Sequence, residues 1–280
     1  MSALEPAVYF AGAGPGDPEL LTLKVQRWLQ GADVIAYADS LIPPAILALA
    51  NPAATHIPTS GLTLEELLPI LIARVQAGEA VVRLQSGDLS LYSALHEQLQ
   101  RLRAAGVPCQ VAPGISAFQA AAAQLGVELT VPEQVQTVIL ARPGGSASPL
   151  PPRENLAALA AHCASLCLYL AASQVEVVQQ TLLHHYPPDT PVAIAFRLGW
   201  PEEQLWLTTL ASMAAESRAA GLTRTTLYII SPALTAADPG ARSHLYHPQH
   251  HHAFRPHNIR AGTLGDRPDE PPSRQQGGQR

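Results

Sequence analysis

The sequence lacks any long hydrophobic run, although 47% of its 280 residues are hydrophobic. No stretch reaches the roughly 18 uninterrupted apolar residues of a membrane-spanning helix, which argues against a membrane partner. Residues 1–6 contain neither a basic start nor an apolar segment, so we expect no secretory signal peptide. We therefore expect a soluble, cytoplasmic protein with enough apolar residues for one large core or two modest ones.

Cysteine is also scarce, since only Cys109, Cys163 and Cys167 occur. Such a small number suits a reducing compartment. The last two form C-x-x-x-C inside the apolar run CASLCLYLAA, and no residues with metal-ligand spacing lie nearby. We expect core packing there rather than metal or redox chemistry, and we predict no metal site.

A basic stripe of the kind that nucleic-acid-binding proteins carry is absent from the sequence. The net charge is −5; residues 237–280 hold six arginines and four acidic residues, a net of +2, which leaves −7 for residues 1–236. Nucleic acid is therefore an unfavourable partner. Residues 237–280 are poor in aliphatics and rich in Pro, Gly, Gln, Arg and His, which predicts a disordered tail.

Phosphate-binding motifs are missing from the glycine-rich loop GAGPG at residues 12–16. A G-x-G-x-x-G motif fails because Asp17 occupies the third glycine position, and the Gly-Lys-Ser/Thr of a P-loop does not occur. Pro15 and Pro18 lack N–H donors, and Asp17 and Glu19 place negative charge at the start of the next helix. The loop favours a flat or cationic ligand without phosphates; a simple turn with no ligand is the alternative.

Three predicted strands, at residues 8–11, 80–84 and 108–112, each run into a glycine turn. The second turn contains Gly87 and the third contains Gly114. Helical patterns separate the strands, which is typical of a parallel α/β sheet. Because parallel strands share their carboxyl edge, the three turns are expected to lie together at a ligand site.

Strand and helix patterns alternate again after residue 130 and predict a second α/β layer. We predict an N-terminal α/β domain at residues 1–130, a C-terminal α/β domain at 131–236 and a ligand cleft between them. Within the first domain the patterns predict helices at residues 18–30, 64–76 and 90–105, the second capped by Thr63 with Glu66, and a loop at 56–61.

Six stretches follow one another along the chain: AGAGPGDPELLTLK, YADSLIP, RLQSGDLSLYSALHEQL, APGISAFQAAAAQLG, FRLGWPEEQ and GLTRTTLYIISPAL. Together they resemble the tetrapyrrole methylase superfamily over about residues 7–235. Within it, the YADSLIP and WPEE stretches are most similar to the precorrin-4 C11-methyltransferases of cobalamin biosynthesis.

The resemblance implies a two-domain tetrapyrrole methylase fold of the α/β class, a homodimer, and S-adenosylmethionine bound between the domains. This cofactor carries a sulfonium cation and no phosphate, as the first loop favours. The implied reaction is methylation of precorrin-4 or cobalt-precorrin-4 at C11. Two alternatives stay open: methylation of another precorrin carbon or of uroporphyrinogen III, and a binding protein of this fold without turnover.

The resemblance also implies a set of cofactor contacts, carried over by motif. These contacts are Pro15, Ser86, Gly87, Asp88, Leu91, Ser116 and Ala117 in the first domain, and Leu170, Leu198 and Thr226 in the second.

Alignment of the methyl donor with a ring carbon should supply most of the catalysis, so few proton-transferring residues are expected. Asp39 is the candidate for accepting a proton, although an Asp at a strand end is equally often a turn former. Arg83, Arg142 and Arg197 are the candidates for pairing with substrate carboxylates through bidentate hydrogen bonds. Each arginine could instead be an ordinary surface or interface residue.

The sequence departs from the superfamily pattern at several points. Leu89 and Ser93 replace a proline and a glycine of the relatives, which should change only loop stiffness. Asp39 replaces a usual glycine and Leu198 belongs to a pair that is normally small, so both are expected to change the shape of the active site.

Overall fold

The computed structural model describes residues 4–144 and 149–235, together with Ser243, His247, His250, His251 and Phe254. The described residues 4–144 and 149–235 belong to one compact unit. The predicted disordered tail lies almost wholly outside the described residues. In the part of the chain that is described, no helix combines the length and the apolar character that crossing a membrane requires.

The first sheet is fully parallel and has the strand order β3-β2-β4-β1-β5. Its strands are β1 Val8–Gly12, β2 Val34–Tyr37, β3 Thr55–Pro58, β4 Val81–Gln85 and β5 Cys109–Ala112. The prediction of a loop at residues 56–61 was wrong for β3. This strand is short, polar and ends in proline; it forms the sheet edge, where no apolar pattern is needed.

Five helices accompany this sheet: α1 Leu23–Gly31, α2 Pro44–Leu47, α3 Leu64–Gln76, α4 Leu95–Ala104 and α5 Ala117–Leu125. The capping prediction for α3 is confirmed, because Thr63 and Glu66 form a reciprocal capping box. Buried side chains of β1, β2 and β4 pack on α3 and α4 on one face of the sheet and on α1 on the other.

Two helix starts differ from the prediction. Asp17 does cap a turn, but this turn is a short 3-10 helix, Pro18–Leu20, and α1 begins only after its own cap at Thr22. Helix α4 begins at Leu95 and not near residue 90. The Ser90 N–H donates to Asp88 Oδ1 and the Ser93 hydroxyl donates to the Leu89 carbonyl oxygen, which holds the preceding residues in turns. Such local side-chain bonds compete with helix formation.

The second sheet is mixed and has the order β6-β7-β10-β8-β9. Only the β6–β7 pair is parallel. The strands are β6 Val138–Ala141, β7 Ser165–Leu168, β8 Pro191–Phe196, β9 Gln204–Thr209 and β10 Thr226–Ile230. The helices are α6 Leu156–Ala160, α7 Val175–Leu183 and α8 Met213–Ala219.

Helix α5 joins the two halves of the fold. Ala120 and Ala121 pack against Cys167, Ala193 and other buried residues of the second sheet, while α6, α7 and α8 cover its opposite face. Thus α5, which the prediction assigned to the first domain, completes the core of the second sheet. The division at residue 130 stays a prediction.

Candidate functional site

Three glycine turns meet at the carboxyl edge of the first sheet. A Cβ atom on Gly114 would lie 2.2 Å from the Gly87 carbonyl oxygen, and one on Gly12 would lie 2.5 Å from Gly114 N. In addition, Gly14 and Gly87 exchange backbone hydrogen bonds of 3.2 and 2.7 Å. The predicted meeting of the three turns is confirmed, and its closeness requires residues without side chains.

A second close contact joins the first loop to the second half of the chain. A Cβ atom on Gly199 would lie 2.1 Å from Asp17 N, and one on Gly16 would lie 2.6 Å from the Trp200 ring. Both glycines have positive φ, +76° and +152°. The GPGD loop and the LGW loop therefore touch backbone to backbone, beside Pro15 and Leu198, which line a cleft.

This cleft lies between the loops of the two sheets. All ten residues that the motifs predicted as cofactor contacts line it: Pro15, Ser86, Gly87, Asp88, Leu91, Ser116, Ala117, Leu170, Leu198 and Thr226. The prediction missed other lining residues, among them Leu41, Tyr92 and Tyr169. Leu41 and Tyr92 stand within two of the six motifs, so the motif neighbours could have indicated them, whereas Tyr169 lies in the apolar run CASLCLYLAA, for which core packing was expected.

The backbone around the cleft is strained. Among the described residues, seven other than glycine have positive φ, and four of them line the cleft: Tyr92 at 55°, Leu170 at 57°, Arg197 at 47° and Thr225 at 55°. Such conformations cost about 1–3 kcal/mol each and cluster at functional sites. Their concentration here supports the cleft as the functional site.

Asp88 connects two of the glycine turns. Its Oδ2 accepts a hydrogen bond of 2.9 Å from Gly114 N, and its Oδ1 accepts from the N–H and hydroxyl of Ser90. Burial raises the pKa of the Asp88 carboxyl, but the hydrogen bonds outweigh this effect and hold it below its ordinary value. The carboxylate is therefore charged at neutral pH and fixes the turn at residues 86–88.

Replacement Asp88→Ala tests this connection. Loss of the charge-assisted bonds should cost about 1–2 kcal/mol of stability and raise the Kd for S-adenosylhomocysteine about tenfold, because the turn at 86–88 is released. The matched control is Asp33→Ala, since Asp33 Oδ2 accepts a similar bond of 2.8 Å from Ala80 N at the opposite end of the sheet. Thermal melts and calorimetry should show similar stability losses but unchanged affinity in the control. Unchanged affinity in Asp88→Ala as well would leave Asp88 with a purely structural role.

Tyr169 follows directly after β7, and its side chain reaches the start of α5 beside the cleft. Its hydroxyl lies 2.7 Å from Ser116 Oγ and also accepts a bond of 3.4 Å from Phe118 N. The Tyr169 and Tyr92 rings are 5.7 Å apart at their centroids. Burial raises the pKa of Tyr169 to about 12, although the bonds from Ser116 and Phe118 oppose the shift. The hydroxyl is therefore neutral at physiological pH.

Replacement Tyr169→Phe should lower the free energy of unfolding by about 1 kcal/mol. Because the pKa is raised on folding, this contribution is complete below the ordinary tyrosine pKa of about 10 and is lost as pH rises through about 12. Denaturant melts of both proteins should show a constant difference from about pH 6 to 9 that decreases at higher pH. A difference that grows above pH 10 would contradict this assignment.

The predicted catalytic residue, Asp39, and the three predicted substrate-binding arginines differ in where they lie relative to the cleft. Asp39 is exposed, and hydrogen bonds from Ser60, one of them 3.1 Å from its N–H, lower the pKa of its carboxyl. Arg197 lines the cleft, 3.2 Å from Glu202. Arg142 lines a neighbouring pocket that shares Tyr92 with the cleft. Arg83 is only 7% exposed and does not line the cleft. The roles of these four residues stay predictions.

The arrangement suits a ligand with a flat ring and polar edges but no phosphate. Gly87 has a φ of +68°, and a Cβ atom there would meet nothing within 4 Å, so bare backbone borders the open cleft. Leucine side chains and the Ser86 and Ser116 residues supply apolar and hydroxyl contacts. Pro15 offers no N–H donor to an anion. The fold and cleft define an α/β protein that binds a small ligand between two layers.

The comparisons identify the family. The family model described as Tetrapyrrole (Corrin/Porphyrin) Methylases matches residues 7–214. This chain belongs to that family, as the six motifs indicated. It is similar to the precorrin-4 C(11)-methyltransferase of Mycobacterium tuberculosis, with 46% identity over 82% of this chain and 92% of the relative. The cobalt-precorrin-4 C(11)-methyltransferase of Priestia megaterium is 37% identical over 89% of this chain and 97% of its own length.

Solved structures agree with the predicted fold class. The X-ray structure of a cobalamin biosynthetic enzyme, cobalt precorrin-4 methyltransferase, has a TM-score of 0.78 and 35% identity over 82% of this chain and 96% of its own. Uroporphyrin-III C-methyl transferase from Thermus thermophilus complexed with S-adenosylhomocysteine has a TM-score of 0.68 and 27% identity, covering 81% and 98% of the two chains. The prediction of a tetrapyrrole methylase fold of the α/β class is confirmed.

Proposed function

We propose that this protein is an S-adenosylmethionine-dependent methyltransferase that adds a methyl group at C11 of precorrin-4 or cobalt-precorrin-4 in cobalamin biosynthesis. The observation that carries the proposal is the match to precorrin-4 C(11)-methyltransferases along almost their full length. The agreement between the motif-derived contacts and the lining of one cleft supports it.

The cleft residues fit the proposed cofactor. S-adenosylmethionine supplies an electrophilic methyl group on a positively charged sulfur. The Ser86–Asp88 turn and the start of α5 would hold it through backbone and hydroxyl groups, while Leu91 and Leu198 would cover its apolar parts. Asp17 and Glu19 place negative charge near the first loop, which favours a cation over a phosphate.

The protein's main contribution to the reaction is alignment. A fixed cleft that orients the methyl donor against the acceptor carbon makes methyl transfer an effectively intramolecular step. This can lower the activation barrier by up to about 7–11 kcal/mol. The close backbone contacts at Gly114 and Gly199 would supply the rigidity. Asp39 is the proposed proton acceptor. It does not itself line the cleft, although Leu41 of the same loop does. The hydrogen bonds from Ser60 lower the pKa of its carboxyl, so it is charged at neutral pH but only a weak base.

Substrate carboxylates are proposed to pair with arginines around the cleft. Arg197 is best placed, because it lines the cleft and its guanidinium carbon lies over the rings of Phe196 and Trp200, 5.5 and 5.1 Å from their centroids. Arg142 lies in the neighbouring pocket beyond Tyr92. We further propose that the protein is a homodimer, which the family resemblance supports. We also propose that it lies in the cytoplasm, where its three free cysteines would stay reduced.

The experiment that tests the proposal uses S-adenosylmethionine carrying a ¹³C-labelled methyl group. The protein is incubated with precorrin-4, cobalt-precorrin-4 and uroporphyrinogen III in parallel, and the new methyl group is located by NMR. We expect label at C11 of one or both precorrin-4 forms. Label at another carbon, or only on uroporphyrinogen III, would assign a different reaction, and no transfer to any substrate would leave a binding protein without turnover.

A further inference from the structure

A buried arginine lies behind the loops that form the cleft. Arg83 stands on the central strand β4, between Phe10 of β1 and Ala36 of β2, and is 7% exposed. Burial lowers the pKa of its guanidinium to about 10, which leaves it charged at neutral pH. Among the described residues, no carboxylate forms an ion pair with it.

The guanidinium donates to three neutral acceptors on different elements. Nη1 donates to the Ala36 carbonyl oxygen at 3.3 Å and to Thr59 Oγ1 at 3.0 Å, while Nε donates to Gln98 Oε1 at 3.4 Å. Thr59 and Gln98 are themselves buried, with 5% and 2% exposure. The planar guanidinium therefore contacts the carboxyl ends of β2 and β3 and the first turn of α4. We call its bond to Gln98 the Gln98 branch and its bond to Thr59 the Thr59 branch.

The Gln98 branch leads to the proposed cofactor loop. Gln98 Nε2 donates to the carbonyl oxygens of Ser93 and Ala94 at 3.2 and 3.3 Å. Gln85 Nε2 donates to the same Ser93 oxygen at 2.8 Å. These bonds fix the end of the loop at residues 86–94, whose beginning is fixed separately at Asp88.

The Thr59 branch leads to the loop that contains the proposed proton acceptor. Thr59 N donates to the Tyr37 carbonyl oxygen at 2.9 Å. The next residue, Ser60, donates its N–H to Asp39 Oδ1 at 3.1 Å. Leu41 of the same loop lines the cleft. Arg83 thus stands between the loop after β2 and the loop after β4.

A buried charge without a charged partner is an inefficient way to stabilise a core, because well-packed apolar residues usually serve as well or better. Its multiple hydrogen bonds point to a geometric role instead. We propose that Arg83 is a positioning residue that holds the loop at 38–42 and the loop at 86–94 in fixed register, so that acceptor carbon and methyl donor are aligned. This inference rests on the proposed function for the identity of the two ligands.

The experiment removes one branch at a time and leaves Arg83 in place. Gln98→Leu disconnects the 86–94 loop, and Thr59→Val disconnects the 38–42 loop at nearly constant side-chain volume. Arg101→Met is the control, since Arg101 lies on the outer side of α4 and pairs with Glu65. Each protein is measured for the Kd of S-adenosylhomocysteine, the KM for the tetrapyrrole, the melting temperature and amide hydrogen exchange in both loops.

The proposal predicts a different effect for each branch. Gln98→Leu should raise the Kd for S-adenosylhomocysteine about fivefold or more and speed exchange in the 86–94 loop. Thr59→Val should leave that Kd within about twofold, raise the KM for the tetrapyrrole about threefold or more, and speed exchange at 38–42. Arg101→Met should leave amide exchange in the two loops, the Kd for S-adenosylhomocysteine and the KM for the tetrapyrrole at the parent values.

Lower melting temperatures with unchanged Kd, KM and loop exchange in both branch variants would overturn the proposal and leave Arg83 as a structural residue. Equal weakening of both ligands in both variants would also overturn it, because the branches would not act separately. If the parent protein binds S-adenosylhomocysteine but methylates no precorrin, the proposed function is refuted. The role of Arg83 in the 86–94 loop then still stands, provided that Gln98→Leu weakens this binding and speeds exchange in that loop.

Discussion

Replacement Gly114→Ala is expected to abolish most of the affinity for S-adenosylhomocysteine. The new Cβ atom would lie 2.2 Å from the Gly87 carbonyl oxygen and 2.8 Å from Gly12 C, so three backbone segments would have to separate. Overpacking of this kind costs about 3 kcal/mol, or roughly 6–12 °C in Tm for a protein of this size. Because the displaced turns border the cleft, the Kd should rise by about 100-fold or more.

The matched control is Gly61→Ala. Gly61 also follows a strand of the first sheet, but a Cβ atom there would meet nothing within 4 Å. We expect a change of at most about 0.5 kcal/mol in stability and no change in affinity, as for an ordinary surface substitution. If Gly114→Ala bound S-adenosylhomocysteine like the control, the close meeting of the three turns would have no role in the cleft.

Replacement Gly199→Ala should separate the two halves of the cleft. Its Cβ atom would lie 2.1 Å from Asp17 N and 2.7 Å from Gly16 C. The positive φ of +76° adds strain of about 1–2 kcal/mol to the cost of the clash. We expect a total loss of about 3–5 kcal/mol in stability and loss of measurable binding, by denaturant melts and calorimetry.

Gly221→Ala separates backbone strain from the clash. Gly221 has a φ of +66°, close to that of Gly199, but open space around its Cβ position. It should lose only about 1 kcal/mol and should keep its affinity. Equal stability losses in the two variants would show that the GPGD and LGW loops tolerate displacement, which contradicts a rigid cleft.

Local chemistry explains what could be predicted from the sequence. The cap of α3 depends on Thr63 and Glu66, three residues apart, and was predicted from that spacing alone. The meeting of the glycine turns follows from parallel strands, which place their carboxyl ends on one edge. The ten lining residues were predicted by matching motifs of this chain to those of the family. The motifs follow one another in the same order in both, so they occupy corresponding places in the fold.

Long-range contacts explain what could not be predicted. The bond from Gly114 N to Asp88 joins residues 26 positions apart, so no local pattern distinguishes it from a helix cap. The direction of the Arg83 side chain depends on Gln98 of α4 and Thr59 after β3, and an arginine in an apolar strand could equally face a ligand. Helix α5 packs on a sheet formed by residues that follow it in the chain.

The most direct test of the account is calorimetric titration of the parent protein, Gly87→Ala and Gly126→Ala with S-adenosylhomocysteine and with NAD. Both glycines have similar positive φ, +68° and +66°, and open space at Cβ, but only Gly87 lines the cleft. We predict micromolar-range binding of S-adenosylhomocysteine by the parent and Gly126→Ala, at least about tenfold weaker binding by Gly87→Ala, and no response to NAD. Binding of NAD without a response to S-adenosylhomocysteine, or full affinity in Gly87→Ala, would contradict it.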